Sequence, residues 1–333
     1  KSFLVTQHTK FVKPGSIFFA LKGKLHDSSD FIQKAAEKGA QEIVIQEKEV
    51  IPQLLLTTCN QKNIKITYSK NIMIDLALYS AKAYNFAHKK LKLIAITGTK
   101  GKTSTSLLCY HFLQSLGYKT GVISTAGNYI ENIFFPAEFT TPRADYLHAF
   151  FDACVLKGVT HVVLECSAHA YALQRIYGLE FDTTIFTNFC QEHGEFFSTQ
   201  EDYFKAKMGI VSMTKPSCHI ILCANDEKIF NQCKKYLQEN KATQEKSIIA
   251  YAHNNKAQEA CYTYTCIKSS LLGSDCIIQT PSNKQFFFST KIFGLHAIEN
   301  ITAAIAAIES LGITIVEKKI QEYLLNIKNF PGR

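Results

Sequence analysis

An apolar run, Leu93-Ile94-Ala95-Ile96, passes directly into Thr97-Gly98-Thr99-Lys100-Gly101-Lys102-Thr103 and then, from Ser104 on, into a helical pattern that lasts to about Leu116. No other stretch of the chain restricts its fold as much. A strand that feeds a glycine-containing turn and then opens a helix aims backbone N–H groups and the positive helix end at one point, which is what a phosphate group needs. Lys102 is then placed to reach the β- and γ-oxygens of a nucleotide, and the Thr103 hydroxyl to hold Mg²⁺. The spacing is the short G-T-x-G-K-T form, because the longer G-x-x-x-x-G-K-T would require glycine where Ile96 stands.

The rest of the chain supplies the sheet that such a loop must grow from. A helix is predicted over about 102–116, then strands at 120–124, 160–165, 183–186 and 219–223, with helices after Pro142 and over 202–211. Strands separated by helices of this length imply a doubly wound, mostly parallel α/β sheet that binds ligands where strands run into loops. Between about 247 and 293 the pattern becomes short β-like runs, an additional small β region, before helices at 297–310 and 317–327. Ahead of the loop, residues 1–90 read as a smaller α/β unit. Pro14-Gly15 turns into a strand at 17–21, Phe31, Ala35 and Ala36 fall at helical spacing, and Gly39 ends that helix before Ile43-Val44-Ile45. A helix over 74–86 precedes the boundary, which divides the chain into domains 1–90 and 91–330.

Composition narrows the function classes. Hydrophobic residues make up 46% and charged residues 20%, which suits a globular chain, and no apolar run reaches the ~20 residues of a membrane span. The 11 cysteines are scattered without a C-x-x-C pair, a usage that fits a reducing cytoplasm rather than a zinc or disulfide framework. The net charge of +9 comes from lysines spread over the whole length, with no basic block interleaved with aromatics, so nucleic acid is not an expected partner. Of 37 basic residues only Arg143, Arg175 and Arg333 are arginine. Their planar fork, which lysine cannot copy, makes each a candidate for anion recognition.

Several segments then agree in order with one family. The short phosphate loop follows an N-terminal unit with His8-Thr9-Lys10, Val12-Lys13-Pro14-Gly15 and Phe18-Phe19-Ala20-Leu21-Lys22-Gly23. It is followed by Thr140-Thr141-Pro142, Glu165-Cys166-Ser167-Ala168-His169 with Arg175, Thr187-Asn188 with His193, Ala206-Lys207, and a helix opening at Gly294-Leu295-His296. In these features the chain resembles the Mur ligases, ATP-dependent amide-forming enzymes of peptidoglycan precursor synthesis. The E-x-S-x-H segment with its later arginine is similar to the member that adds the third peptide residue.

The resemblance implies a UDP-sugar-binding first domain and an ATP-binding second one. It implies ATP held by Gly98, Thr99, Lys100, Gly101, Lys102, Thr103, Ser104, His296, Asn300 and Arg333. Asn300 is the expected adenine contact, because Ala297 stands where the family often has Asn. Two Mg²⁺ ions are implied, the first on Thr103 and Glu165, the second on His193 and a carbamylated Lys207. Lys205, two residues away on another helical face, is the ordinary surface lysine. Thr9, Thr140, Thr141, Ser167 and Arg175 are implied to grip UDP-N-acetylmuramoyl-L-alanyl-D-glutamate, to which a monomeric cytoplasmic enzyme adds a diamino acid through an acyl phosphate.

Lys100, Ala168 and Glu192-His193-Gly194-Glu195 depart from the family's usual residues without removing a phosphate ligand. Because the chain stops at the Phe330-Pro331-Gly332-Arg333 turn, after which the family has an amino-acid-binding domain, the expectation is a fragment of a longer ligase. Two alternatives remain open at this stage. One is a related Mur or folylpolyglutamate-type ligase with another acceptor, and the other is a nucleotide-binding protein without ligase activity.

Overall fold

The computed structural model describes residues 4–21, 28–192, 194–240, 246–254, 256 and 259–327, so His193 and Arg333 lie outside the described residues. The chain forms two compact units, one of Lys1–Lys90, Pro142–Ala153 and Leu173–Gly178, the other of Leu91–Thr141, Cys154–Ala172 and Leu179–Arg333. The chain thus returns twice to the first unit after residue 91, where the sequence reading has one continuous domain over 91–330.

The first unit is built on a four-stranded parallel sheet in the order β1 (Val5–Thr6), β2 (Ile17–Ala20), β3 (Glu42–Gln46), β4 (Lys65–Ser69). Strand alternation sends neighbouring side chains to opposite faces. Phe18, Ile43 and Ile45 therefore meet Ile32, Ala35 and Ala36 of α1 (Ser28–Glu37), and Cys59 of α2 (Gln53–Gln61), on one face. Phe19 and Val44 meet Leu76 and Ala77 of α3 (Ile72–Ala83) on the other. The α3 helix begins at Asn71, whose side chain accepts from Ile74 N at 3.2 Å. It ends before Asn85 and Phe86, which take left-handed φ values of 49° and 52°, so it stops short of the predicted residue 86. Strand β4 and helix α2 carry too little apolar periodicity to have been read from sequence.

The second unit contains an 11-stranded sheet in the order β15-β14-β13-β12-β11-β10-β5-β9-β6-β7-β8. Its centre is parallel: β5 (Lys92–Thr97), β6 (Thr120–Ser124), β9 (His161–Glu165), β10 (Phe181–Phe186), β11 (Thr214–Cys223) and β12 (Ser247–His253). The predicted additional β region is not a separate body. Strands β13 (Tyr262–Ser270), β14 (Gly273–Gln279) and β15 (Gln285–Thr290) continue the same sheet, β13 pairing parallel to β12. A hairpin of β7 (Gly127–Ile130) and β8 (Ile133–Phe135) closes the opposite edge.

Helix α4 (Lys102–Ser115) leads from β5 towards β6, whereas the chain leaving β9 crosses to β10 on the far side of β5. Adjacent strands whose connections depart in opposite directions open a crevice at their C-terminal ends. Further along come α5 (Ala144–Leu156), α6 (Ala168–Ala172), α7 (Gln200–Ser212), α8 (Glu227–Glu239), α9 (Leu295–Ser310) and α10 (Glu317–Asn326). Helix α9 packs on α4, and its fully buried Ala303, Ala304, Ala306 and Ala307 keep that contact free of bulky side chains. Among the described residues no helix is long and apolar enough to cross a membrane, and all 11 cysteines are free thiols.

A buried histidine in the first unit gives stability a defined pH dependence. His148 of α5 is 2% exposed, stacks edge-on at 5.0 Å from the ring of His88, and packs against Phe151. Burial, and then the neighbouring His88, hold its pKa down at about 3. Below the unfolded value of ~6.5 the unfolded chain binds a proton that the folded chain does not, so stability falls as pH drops from ~6.5 towards 3, by up to ~1.4 kcal/mol per pH unit. Urea midpoints measured from pH 7.5 to 4.5 should therefore fall less steeply for His148→Leu than for the unsubstituted protein. Parallel slopes would show that His148 titrates normally.

Candidate active site

The loop after β5 adopts its shape because of its glycines and of the segment that follows β10. Gly98 has φ 139°, and a Cβ there would come within 2.0 Å of Thr187 Oγ1. Gly101, at φ 83°, caps α4 and would place a Cβ 2.7 Å from Asn300 Oδ1. Thr187 and Asn188 then pin the turn. Thr99 N donates to Asn188 O at 2.9 Å, Lys100 N to Asn188 Oδ1 at 2.8 Å, and Thr187 Oγ1 to Lys100 O at 2.7 Å. The sequence reading had noted Thr187-Asn188 without giving them this positioning role. Their place directly after a predicted strand was the available signal.

Two lysines meet at the loop, one from its own end and one from α7. Lys102 Nζ donates to Gly98 O at 3.1 Å and Thr99 O at 2.8 Å, so its ammonium lies over the turn. Lys207, from α7, also donates to Gly98 O, and its Nζ stands 4.3 Å from the centre of the Tyr203 ring. It is 1% exposed, and burial followed by the charge of Lys102 pushes its pKa down to about 6. The resemblance implies a carbamylated Lys207 that helps to hold a second Mg²⁺; the structure places it among the largest fully buried side chains of the described residues. Lys205 points elsewhere and pairs with Glu201 on the exposed helix face at 2.6 Å.

Across the crevice, Glu165 ends β9, 2% exposed. Thr103 Oγ1 donates to its Oε1 at 3.0 Å, and Thr125 N donates to Oε2 at 2.8 Å. Thr125, absent from the sequence expectations, thus sets the carboxylate's orientation from the end of β6. It also lies 3.0 Å from Thr140 Oγ1. Thr141 Oγ1 donates to the Glu165 carbonyl at 2.8 Å and accepts from Ser167 N at 3.0 Å. The structure therefore joins Thr103, Thr125, Thr140, Thr141, Glu165 and Ser167 in one hydrogen-bonded group beside the loop.

A hydroxyl and a carboxylate 3.0 Å apart, next to a phosphate-type loop, are the hard oxygen donors that Mg²⁺ takes together with phosphate oxygens and water. Among the described residues no group of three or more His, Cys, Asp and Glu side chains is arranged to hold a metal.

The remaining expected residues fall out differently. Asn300, the expected adenine contact, has its Oδ1 engaged by Thr105 Oγ1 at 3.1 Å and lies against Gly101, a place that shapes the loop. The His296 side chain is 96% exposed at the start of α9, 3.6 Å from Glu299. The Lys100 side chain pairs with Glu192. Thr9 and Arg175 belong to the first unit, where the Thr9 carbonyl accepts from Lys38 Nζ at 2.8 Å.

Residues 96–308 match the Mur ligase middle domain. Over 331 residues the chain is 32% identical to UDP-N-acetylmuramoyl-L-alanyl-D-glutamate--2,6-diaminopimelate ligase 1 of Clostridium acetobutylicum, covering 97% of this chain and 61% of that protein. It is 31% identical to the corresponding ligase of Clostridium tetani, covering 97% and 62%. The chain spans about three fifths of the length of the curated relatives it matches. A solved structure of UDP-N-acetylmuramoyl-L-alanyl-D-glutamate--2,6-diaminopimelate ligase superposes with a TM-score of 0.80 at 22% identity, covering 100% of this chain and 64% of the other. The MurF ligase of Thermotoga maritima in complex with ADP superposes with a TM-score of 0.67 at 19% identity, covering 100% and 67%.

Proposed function

The chain belongs to the Mur ligase family, and from that premise we propose that it forms the nucleotide-sugar-binding and ATP-binding parts of a ligase that adds a diamino acid to UDP-N-acetylmuramoyl-L-alanyl-D-glutamate. The observation that carries this reading is the bond from Thr103, in the first turn after the phosphate loop, to Glu165 at the tip of the neighbouring strand. A hydroxyl and carboxylate pair at that strand end supports a metal site next to the loop whose lysine would meet the γ-phosphate. The acceptor and the diamino acid are those of the related diaminopimelate ligases.

In this reading the residues act mainly by position and charge. The loop N–H groups and Lys102 hold the triphosphate, and charge that builds on the transferred phosphoryl oxygens is met by the Lys102 ammonium and the N-terminus of α4. Thr103 and Glu165 would hold one Mg²⁺, which when bound neutralises phosphate charge. Thr125 N–H keeps Glu165 oriented for that task. The D-Glu γ-carboxylate attacks the γ-phosphorus, giving an acyl phosphate and ADP. The incoming amine then forms the amide bond and expels phosphate. Thr140, Thr141 and Ser167 of the second unit, and Thr9 and Arg175 of the first, would contact the nucleotide-sugar substrate. His193 and a carbamylated Lys207 would hold a second Mg²⁺, while Gly98, Thr99, Lys100, Gly101, Ser104, His296, Asn300 and Arg333 would complete the nucleotide site. The work is that of a cytoplasmic monomer.

The test uses the full-length protein with ATP and Mg²⁺. ADP release should rise at least ~10-fold when UDP-N-acetylmuramoyl-L-alanyl-D-glutamate and diaminopimelate are both added, with the tripeptide as product. ADP release indifferent to the nucleotide sugar would leave a nucleotide-binding protein without this ligase activity.

A further inference from the structure

The first unit has an open cavity of about 370 Å³, lined by Leu21, Ile72 and Met73 and by Arg143 and Arg175. That volume is in the range of small-molecule sites. Gln46 also borders it, but its amide is committed to the backbone. Its Nε2 donates to the carbonyls of Ser69 and Lys70 at 3.1 and 2.9 Å, and its Oε1 accepts from Ile72 N at 3.3 Å. The ionisable groups of the lining are thus two cations, and they are the two arginines among the described residues.

Helix stability does not explain Arg143. It immediately precedes α5, and the positive end of a helix disfavours a cation and favours an acid. The acid suited to that end is Asp145, which accepts from Tyr146 N at 3.0 Å, from Gln7 N at 3.2 Å, and from Thr6 Oγ1 at 3.4 Å. Gln7 links the two: it bonds Asp145 through its backbone N–H, while its side-chain Oε1 accepts from Arg143 Nη1. The Gln7 amide is thus one of the groups that orient the Arg143 fork, and the buried Asp145 carboxylate also feels the Arg143 charge. Arg175 is partly buried in the same lining, and burial together with the charge of Arg143 lowers its pKa. Two like charges facing one cavity favour an anion between them.

We propose that Arg143 and Arg175 form a two-arginine clamp for a phosphate or carboxylate group of a ligand whose apolar part lies against Leu21, Ile72 and Met73. Arg143 is the new member: its role is assigned by the cavity it shares with Arg175 and by the Gln7 bond that helps to orient it. The identity of the ligand rests on the ligase reading above. UDP-N-acetylmuramoyl-L-alanyl-D-glutamate offers two sources of the anion, its diphosphate and its terminal carboxylates.

Calorimetric titration of the full-length protein separates these sources with three probes: UDP, UDP-N-acetylmuramoyl-L-alanine, and the complete dipeptide compound. Arg143→Gln should weaken at least one probe by ~10-fold or more while ATP affinity stays within ~2-fold, consistent with the loss of a charge-assisted bidentate contact. Weakening of all three probes equally assigns the diphosphate. Weakening confined to the complete compound assigns the D-Glu carboxylates. Arg143→Lys should keep part of the affinity, and Arg143→Gln combined with Arg175→Gln should lose less than the two single losses added, because both hold one group. If Arg143→Gln leaves every probe within ~2-fold of the unsubstituted protein, the clamp is refuted while the ligase reading stands. If the unsubstituted protein binds none of the probes but binds pyrophosphate or glutarate in an Arg143-dependent way, the clamp stands and the ligase reading falls. Binding of neither class overturns both.

Discussion

In the full-length protein, Lys102→Ala is expected to lower ATP turnover by ~10³-fold, the scale seen when a preorganised charge is removed from a site of developing negative charge. The side chain sits in the first turn of α4 and bonds only to carbonyls of its own loop in the hydrogen bonds described, Gly98 O at 3.1 Å and Thr99 O at 2.8 Å. Losing those bonds costs on the order of 1 kcal/mol of stability, so the variant should stay folded. The loop is held independently by Thr187 and Asn188. Turnover and thermal melting measured on the same sample check both halves of the expectation. Near-normal turnover in a folded Lys102→Ala protein would refute the phosphate-loop assignment.

Lys207→Ala is expected to remove nearly all activity, by ~10²-fold or more, and to recover part of it when formate, acetate or propionate is added. An ammonium cannot serve a cation, whereas a carbamate formed on the same nitrogen presents two anionic oxygens. The structure explains why this nitrogen could react with CO₂, which needs the uncharged amine. Burial and the nearby Lys102 charge hold the Lys207 pKa at about 6, so at pH 7.5 the neutral form predominates. The small carboxylates would occupy the space freed by the shortened side chain. Lys205→Ala should behave like the unsubstituted protein, since Lys205 is exposed and pairs only along its own helix with Glu201. Full activity of Lys207→Ala without added carboxylate would remove the second-metal proposal and leave Lys207 as a packing residue.

These two lysines also show how far local sequence carries an argument. Lys102 was legible because its function depends on a contiguous segment: strand, two glycines, lysine, threonine and helix follow one another within a few residues. The expected strand and helix formed there, β5 at Lys92–Thr97 and α4 at Lys102–Ser115. Lys207 was legible only through the family resemblance, since nothing in Asp202-Tyr203-Phe204-Lys205-Ala206-Lys207 marks which lysine is buried. The exposure of Lys205 and burial of Lys207 follow from the face that α7 turns towards the loop after β5.

The same division runs through the whole molecule. By itself the sequence determined the α/β class, the parallel centre of the second unit, the glycine turn between β5 and α4 and the strand-end position of Glu165, because hydrophobic period, glycine placement and strand–helix alternation are properties of consecutive residues. Tertiary structure decided that β13–β15 extend the main sheet, since edge pairing depends on a distant partner strand. It decided that residues 142–153 and 173–178 group with the first unit, that Thr125 orients Glu165, and that Asn300 supports Gly101. It also brought Arg143 and Arg175, 32 positions apart in the chain, to one cavity. Each of these is a contact between segments far apart in sequence, fixed by the folded path of the backbone rather than by any local pattern.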